Sequence, residues 1–278
     1  MAGDNHIGGD NLSISNLNFA YGGNLQIFEN LNIDVKPGEL LAVLGPSGCG
    51  KTTLLNLLAG FYQPDSGSSL LRGEHITPED PHLGYIFQAA NLFPWLNTIE
   101  NVEFGLRMTG MAAKERRKIA IKNLEMVGLK GFEDFLPNKL SGGMRQRASI
   151  ARALCLEPHL LLMDEPFSAL DEILRDKMND ELLQLWDQLG QTIVFITHSI
   201  EEAVYLSDRV LVLARPPGGI YKELINELPR PRDLRETKSS ELFWEYKKEL
   251  NHLIQEVQTQ APLDESEMAE LELGKKVG

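Results

Sequence analysis

Two cysteines among 278 residues cannot make a disulfide framework. No apolar run approaches the roughly 18–20 residues that span a bilayer, so any membrane role is expected to act through a partner. Positive charge is in deficit: 27 Lys and Arg face 40 Asp and Glu, a net charge of −13. That balance argues against nucleic acid as the main partner, because neutralising phosphates requires a basic footprint. Met1 to Asp10 holds neither a basic stretch nor an apolar one, so a secretory signal is not expected and the cytoplasm is the natural compartment. No internal repeat is visible. What is present is ordinary, with 42% hydrophobic and 24% charged residues in a chain long enough for one large domain or two small ones.

The most informative segment runs Gly45, Pro46, Ser47, Gly48, Cys49, Gly50, Lys51, Thr52, Thr53, which fits the P-loop pattern G-x-x-x-x-G-K-[ST]. Its context supports the match. Leu40 to Leu44 is a continuous apolar run after the turn Lys36-Pro37-Gly38, as a strand buried on both faces of a parallel sheet reads. Thr53 to Ala59 predicts a short helix that Gly60 can stop. Glycines let the backbone N–H groups of such a loop turn inward and approach phosphate oxygens. The helix N-terminus adds about 0.3–1 kcal/mol per anionic group, whereas hydrogen bonds to charged groups contribute roughly 1.5–3 kcal/mol each. The cradle of N–H donors therefore dominates. Lys51 would reach the β- and γ-phosphates of ATP, and the Thr52 hydroxyl would ligate Mg²⁺. The competing reading is a glycine-rich turn before a core helix.

Three further segments end apolar runs with polar groups. Leu160 to Met163 precedes Asp164 and Glu165; Thr192 to Thr197 precedes His198; Gly84 to Phe87 precedes Gln88. Ligands in open α/β sheets bind at the carboxyl ends of strands, where a P-loop also lies. Asp164 would hold Mg²⁺ directly or through water, and Glu165 would take a proton from attacking water. His198 would sense the γ-phosphate and position water, and the Gln88 amide would ligate Mg²⁺ or water. Each group has a plainer reading as a solvated turn residue. Leu140-Ser141-Gly142-Gly143-Met144 opens a helix with Ser141 as N-cap, its glycines leaving N–H groups accessible to an anion. Its buried stripe is expected to be Met144, Ala148, Ala151, Leu154 and Cys155.

Around these motifs, residues 12–36 read as an antiparallel β-layer about the turn Tyr21-Gly22-Gly23-Asn24. Residues 89–157 read as a helical insertion, with a capping box at Asn97 and Glu100. Its cluster Lys114 to Lys118 is a solvated helix face or a binding patch. Leu174, Met178, Leu182, Leu185 and Leu189 recur at helical spacing up to Gly190, and Val210 to Leu213 is a further strand. Strand, helix, strand in this rhythm predicts a parallel sheet. Phe243, Tyr246, Leu250, Leu253 and Val257 form an amphipathic helix in an extension expected at 229–260, too short for a regulatory domain and expected to pack on its own body. The acidic segment 261–278 is expected to be disordered.

These motifs in this order resemble the ATP-binding cassette family, the nucleotide-binding subunits of ABC transporters, over roughly residues 12–225. The resemblance implies an α/β fold: a P-loop NTPase core with a mostly parallel sheet, an N-terminal antiparallel β-layer and an inserted helical subdomain, all within residues 1–228. It implies that Tyr21 stacks on adenine, that Gln88 is the Q-loop residue, and that Ser141 to Met144 form the signature. It makes Asp164 and Glu165 the Walker B pair, Ser168 to Asp171 the D-loop, with Asp171 at the nucleotide, and His198 the switch histidine. Cofactors would be ATP and Mg²⁺. Two cassettes would face head to tail, each ATP lying between one P-loop and the other signature, with the second cassette a copy or a paralogue.

Two positions depart from the family pattern. Met144 stands where Gln is common, which removes an amide contact but leaves Ser141 and the N–H groups. Cys49 stands where Ser is frequent, either by tolerance or as a thiol made acidic by the helix N-terminus. Phe87 to Trp95, Leu213 to Ile220 and Leu228 to Arg232 look like importers for nitrate, sulfonate, taurine and bicarbonate. Phe93, Pro94 and Trp95 would then grip a permease coupling helix, or else belong to the core. Partners would be transmembrane permease subunits and, indirectly, a solute-binding protein, with the chain peripheral on the cytoplasmic membrane face. An exporter cassette lacks its usual fused membrane segment here. A cassette acting on DNA or ribosomes lacks the expected coiled-coil insertion and basic surface.

Overall fold

A computed structural model describes residues 9–259. The expected disordered tail at 261–278 lies outside the described residues. Alternating apolar residues build the first layer: β1 (Leu12–Tyr21) and β2 (Leu25–Val35) pair antiparallel. The turn between them uses Gly22 and Gly23 at positive φ. The central apolar run becomes β3 (Leu40–Leu44), buried at all five positions, and is followed by α1 (Lys51–Leu58). Next come β4 (Ser66–Leu71) and β5 (Glu74–His75), which complete a four-stranded sheet in the order β2-β1-β4-β5.

The second sheet has six strands in the order β10-β9-β3-β8-β7-β6. Its β6 (Leu83–Ile86), β7 (Leu160–Asp164), β8 (Thr192–Ile196), β3 and β9 (Arg209–Leu213) run parallel, and β10 (Ile220–Ile225) pairs antiparallel at the edge. Successive side chains of a strand face opposite sides, and here both sides are covered. Leu41, Val43, Leu162 and Ile196 pack with α1 and the antiparallel sheet. Leu40, Ala42, Leu161 and Phe195 pack with the helices on the other side.

Between β6 and β7 the chain is helical: α2 (Thr98–Val102), α3 (Phe104–Met108), α4 (Ala113–Met126) and α5 (Gly142–Leu154). The capping box expected at α2 forms, with Asn97 Oδ1 accepting from Glu100 N–H at 2.9 Å and Glu100 Oε2 accepting from Asn97 N–H at 2.9 Å. The α5 stripe buries Ala148, Ala151, Leu154 and Cys155, while Met144 is only partly covered. Then follow α6 (Glu172–Leu189), ended by Gly190 in the left-handed region, and α7 (Ile200–Leu206). The chain closes with α8 (Leu234–Ser239) and α9 (Glu241–Thr259). On α9, Phe243, Leu250, Leu253 and Val257 are buried in the same core as Val204 and Leu206 of α7. Two strand regions, β4–β5 and β10, were not expected from sequence.

Candidate functional site

The loop from Gly45 to Gly50 leaves β3 and enters α1 with Gly48 at φ 81° and Gly50 at φ 94°. Side chains rarely adopt this region, and at Gly50 space also forbids one: a Cβ there would lie 2.8 Å from Ile27 Cγ2 and 2.9 Å from Phe28 Cζ. Lys51 Nζ donates to the carbonyls of Gly45 at 2.8 Å and Pro46 at 2.9 Å. Ser47 and Thr52 are exposed, and Pro46 is buried. Thr53 is buried beneath them and shares a hydrogen bond of 2.9 Å with Tyr21 OH. The Tyr21 ring meets Phe19 and Tyr62 edge to face at 5.1 and 5.9 Å. Burial pushes its phenol up to about 12.

Cys49 corrects one of the two readings made above. Its side chain is 2% exposed and turned beneath Gly45, where an added Cβ would lie 2.5 Å from Sγ. Burial raises its pKa, and the opposing influence of Lys51 is smaller. The thiol is therefore not acidic, and a neutral buried thiol is a poor nucleophile. Native protein is expected to resist iodoacetamide at both Cys49 and Cys155 at neutral pH, equally with and without ATP. Peptide mapping should find label only after unfolding; rapid native labelling of Cys49 that ATP suppresses would reverse this conclusion.

The carboxyl ends of the parallel strands bring the other groups together. Pairings Ile86↔Met163, Asp164↔Ile196 and Val43↔Ile196 set β6, β7, β8 and β3 in register, so the residues after each strand emerge at one edge. Asp164 is 6% exposed at the end of β7. Glu165 follows at φ 46°, a left-handed conformation that costs a non-glycine residue about 1–3 kcal/mol. It is held there by its N–H donating to Ile196 O at 3.0 Å and by Ser168 Oγ donating to its carbonyl at 3.0 Å. Glu165 Oε2 accepts from Gln88 Nε2 at 3.1 Å and lies 3.3 Å from His198 Nδ1. Gln88 and His198 thus converge on one carboxylate oxygen of Glu165.

Ser141 Oγ accepts from Met144 N–H at 3.2 Å and caps α5, with Ser141 and Gly142 exposed and Gly143 partly covered. Among the described residues no hydrogen bond joins Ser141 to Gly143 with the P-loop. Asp171 Oδ1 accepts from Leu174 N–H at 3.0 Å, so within one chain its carboxylate is engaged as the cap of α6. Gln146, which sequence reading missed, is 2% exposed and donates to Phe87 O at 3.2 Å, linking α5 to the residue before Gln88. Thr197, Arg175 and Glu202 were missed as well. Thr197 O–H donates to buried Glu202, whose carboxyl is pushed up chiefly by burial. The Ser199-x-x-Glu202 spacing, a capping-box pattern, was the available signal; Ser199 Oγ accepts from Glu202 N–H at 3.3 Å.

A glycine-rich phosphate loop after a buried strand, with carboxylates and a histidine on the same sheet edge, defines a P-loop nucleoside triphosphatase. The likeness to known proteins is closer than that class. Residues 28–168 match the ABC transporter family. A taurine import ATP-binding protein of Roseobacter denitrificans is 44% identical over 87% of this chain and 93% of its own length. An aliphatic sulfonates import ATP-binding protein of Bacillus cereus is 42% identical over 82% of this chain and 88% of its own. Among solved structures, a dimeric ATP-binding cassette in a post-hydrolysis state with ADP and Pi superposes with TM-score 0.70 at 32% identity, covering 78% of this chain and 99% of that one. The chain belongs to the ABC transporter family, and it is an ATPase of that family.

Proposed function

We propose that this chain is the ATP-hydrolysing subunit of an importer for a small sulfonate-class anion such as taurine, with nitrate or bicarbonate the alternative cargoes, working through a separate permease. The observation that carries the catalytic part is the convergence of Gln88 and His198 on Glu165 Oε2. Glu165 is the general base for attacking water, and His198 and Gln88 hold it in place. Lys51 exchanges its two loop carbonyls for β- and γ-phosphate oxygens, and the N–H groups of residues 45–53 surround them. Tyr21 supports the adenine. Ser141, Gly142 and Gly143, with their exposed cap, receive the γ-phosphate bound by a second cassette, beside which Asp171 lies.

Thr52, Gln88 and Asp164 offer a hydroxyl, an amide oxygen and a carboxylate, a hard all-oxygen set that suits Mg²⁺. Among the described residues no three His, Cys, Asp or Glu side chains form a metal cage, which fits an ion whose remaining ligands are water and phosphate oxygens. Thr52, Gln88 and Asp164 would hold the ion, which would supply positive charge to offset the charge developing on the phosphates. Residues 1–228 act as the cassette, with 89–157 as its helical arm and 229–260 as an added helical segment.

Docking to the permease falls to the segment after Gln88. Trp95 is 73% exposed, beside Phe93 at 5.6 Å, which packs on Phe104 at 4.5 Å and under the Arg152 guanidinium at 5.7 Å. The buried Asn101 amide fixes this loop, accepting from Phe93 N–H at 2.7 Å and donating to the carbonyls of Phe93, Leu96 and Asn97 at 3.0–3.1 Å. Among the described residues no helix is long and apolar enough to cross a membrane, and we place the chain on the cytoplasmic face as a peripheral subunit. Affinity purification of the tagged chain in mild detergent should recover a polytopic permease, with a solute-binding protein joining only indirectly. Trp95→Ala should cut that recovery at least severalfold without changing ATP affinity. Recovery of ribosomes or nucleic acid in place of a permease would overturn the proposal.

A further inference from the structure

Two oppositely charged side chains, used in no step above, tie the segment carrying His198 to the turn before α6. Arg175, one turn into α6, donates through Nη2 to Leu170 O at 2.9 Å. Its Nε lies 3.5 Å from Glu202 Oε1 on α7. The other Glu202 oxygen accepts from Thr197 O–H, and Thr197 Oγ1 accepts from Ser199 N–H at 3.0 Å. Of the residues on either side of His198, Thr197 is therefore fixed to a buried carboxylate directly and Ser199 through the Thr197 hydroxyl. Leu170, at the far end of the chain of contacts, packs against the start of α5: a Cβ on Gly143 would lie 3.1 Å from Leu170 Cδ2.

With Glu202 buried and Arg175 partly exposed, this ion pair is a weak source of stability, because taking charge out of water offsets much of the attraction. What such a pair does supply is a fixed separation between the elements that carry it. Here those elements are α6 and α7, which reach the 168–171 turn through Leu170 O and the strand-to-helix corner through Thr197 O–H. We propose that Arg175 and Glu202 are positioning residues for hydrolysis, locking the 168–171 turn to Thr197 so that His198 keeps its place against Glu165. The proposal rests on the reading of Glu165 as base and His198 as its neighbour in the reaction.

The test is steady-state ATP hydrolysis by the full chain carrying Arg175→Met, Glu202→Gln, both together, Thr197→Val or Thr197→Ser, with Glu165→Gln assayed alongside. Small misplacements of reacting groups cost up to about 100-fold in rate, so kcat should fall about 10- to 100-fold in both single variants and in Thr197→Val. KM for ATP should stay within about twofold, since no phosphate contact is touched. The double variant should fall no further than the worse single, as members of one network do. Thr197→Ser keeps the hydroxyl and should keep kcat. Unchanged kcat with only a lowered melting temperature, additive losses, or an equal loss in Thr197→Ser would each overturn the proposal. If Glu165→Gln hydrolyses normally, the reading of the site fails and the proposal falls with it. If Glu165→Gln is inactive while the Arg175 and Glu202 variants are normal, the proposal alone fails.

Discussion

Glu165→Gln is expected to bind ATP as the parent chain does and to hydrolyse it about 10²–10⁴-fold more slowly, the range that general-base catalysis contributes. The substitution keeps the shape of the side chain and an oxygen able to accept from Gln88, now 3.1 Å away. What it removes is the ability to take a proton, together with the negative charge facing His198 Nδ1 at 3.3 Å. No P-loop contact is altered, so the loss should appear in kcat and leave nucleotide affinity within about twofold. Equilibrium binding of a fluorescent ATP analogue and phosphate release measured on the same preparation separate the two. Undiminished turnover would remove Glu165 as the base and leave Asp164 or a group from a second chain to be tested.

Lys51→Met should show the opposite pattern, a loss at the binding step. In the structure its ammonium is held by two loop carbonyls, which gives the loop its shape and places the charge where phosphates enter. A hydrogen bond to a charged group contributes about 1.5–3 kcal/mol, so each lost contact should weaken ATP about 10- to 150-fold. Methionine fills much of the stem's volume, so the fold is expected to survive with little change in melting temperature. Titration calorimetry with ATP reads this directly. Retained affinity with abolished hydrolysis would mean that Lys51 acts only in the transition state.

The sequence made the sheet edge legible where an apolar run was bounded by turn residues. Leu40 to Leu44, Leu160 to Asp164 and Thr192 to Ile196 are each buried at every position, as such runs imply. β10 was invisible because Ile220 to Ile225 buries only Leu224 fully; at an edge, pairing decides and pattern carries little signal. β4 lies inside its sheet, between β1 and β5, but it begins with exposed Ser66 and Gly67 and so shows little apolar pattern. Cys49 could be placed near a helix N-terminus, but not aimed: it sits between Gly48 and Gly50, both at positive φ, and its thiol lies beneath Gly45. Strand ends alone put Gln88, Glu165 and His198 on one sheet edge; their contacts with one another came only from the structure. The Arg175–Glu202 contact did not, because it joins two helices whose packing no local pattern encodes.

The strand order also governs how the polypeptide is made. β3, which launches the phosphate loop, has as its two sheet neighbours β8 and β9, with Leu40 opposite Ile193 and Leu41 opposite Arg209. Both partners are translated about 150 residues later, and at about 5–20 residues per second the wait is roughly 8–30 s. During that interval an apolar strand leaves the ribosome with both edges open, the condition under which nascent chains associate wrongly. The neighbouring hairpin β1–β2 and helix α1 can shelter it in the meantime, while α9, whose Val257 lies in the core on the other side of the sheet, is translated later still.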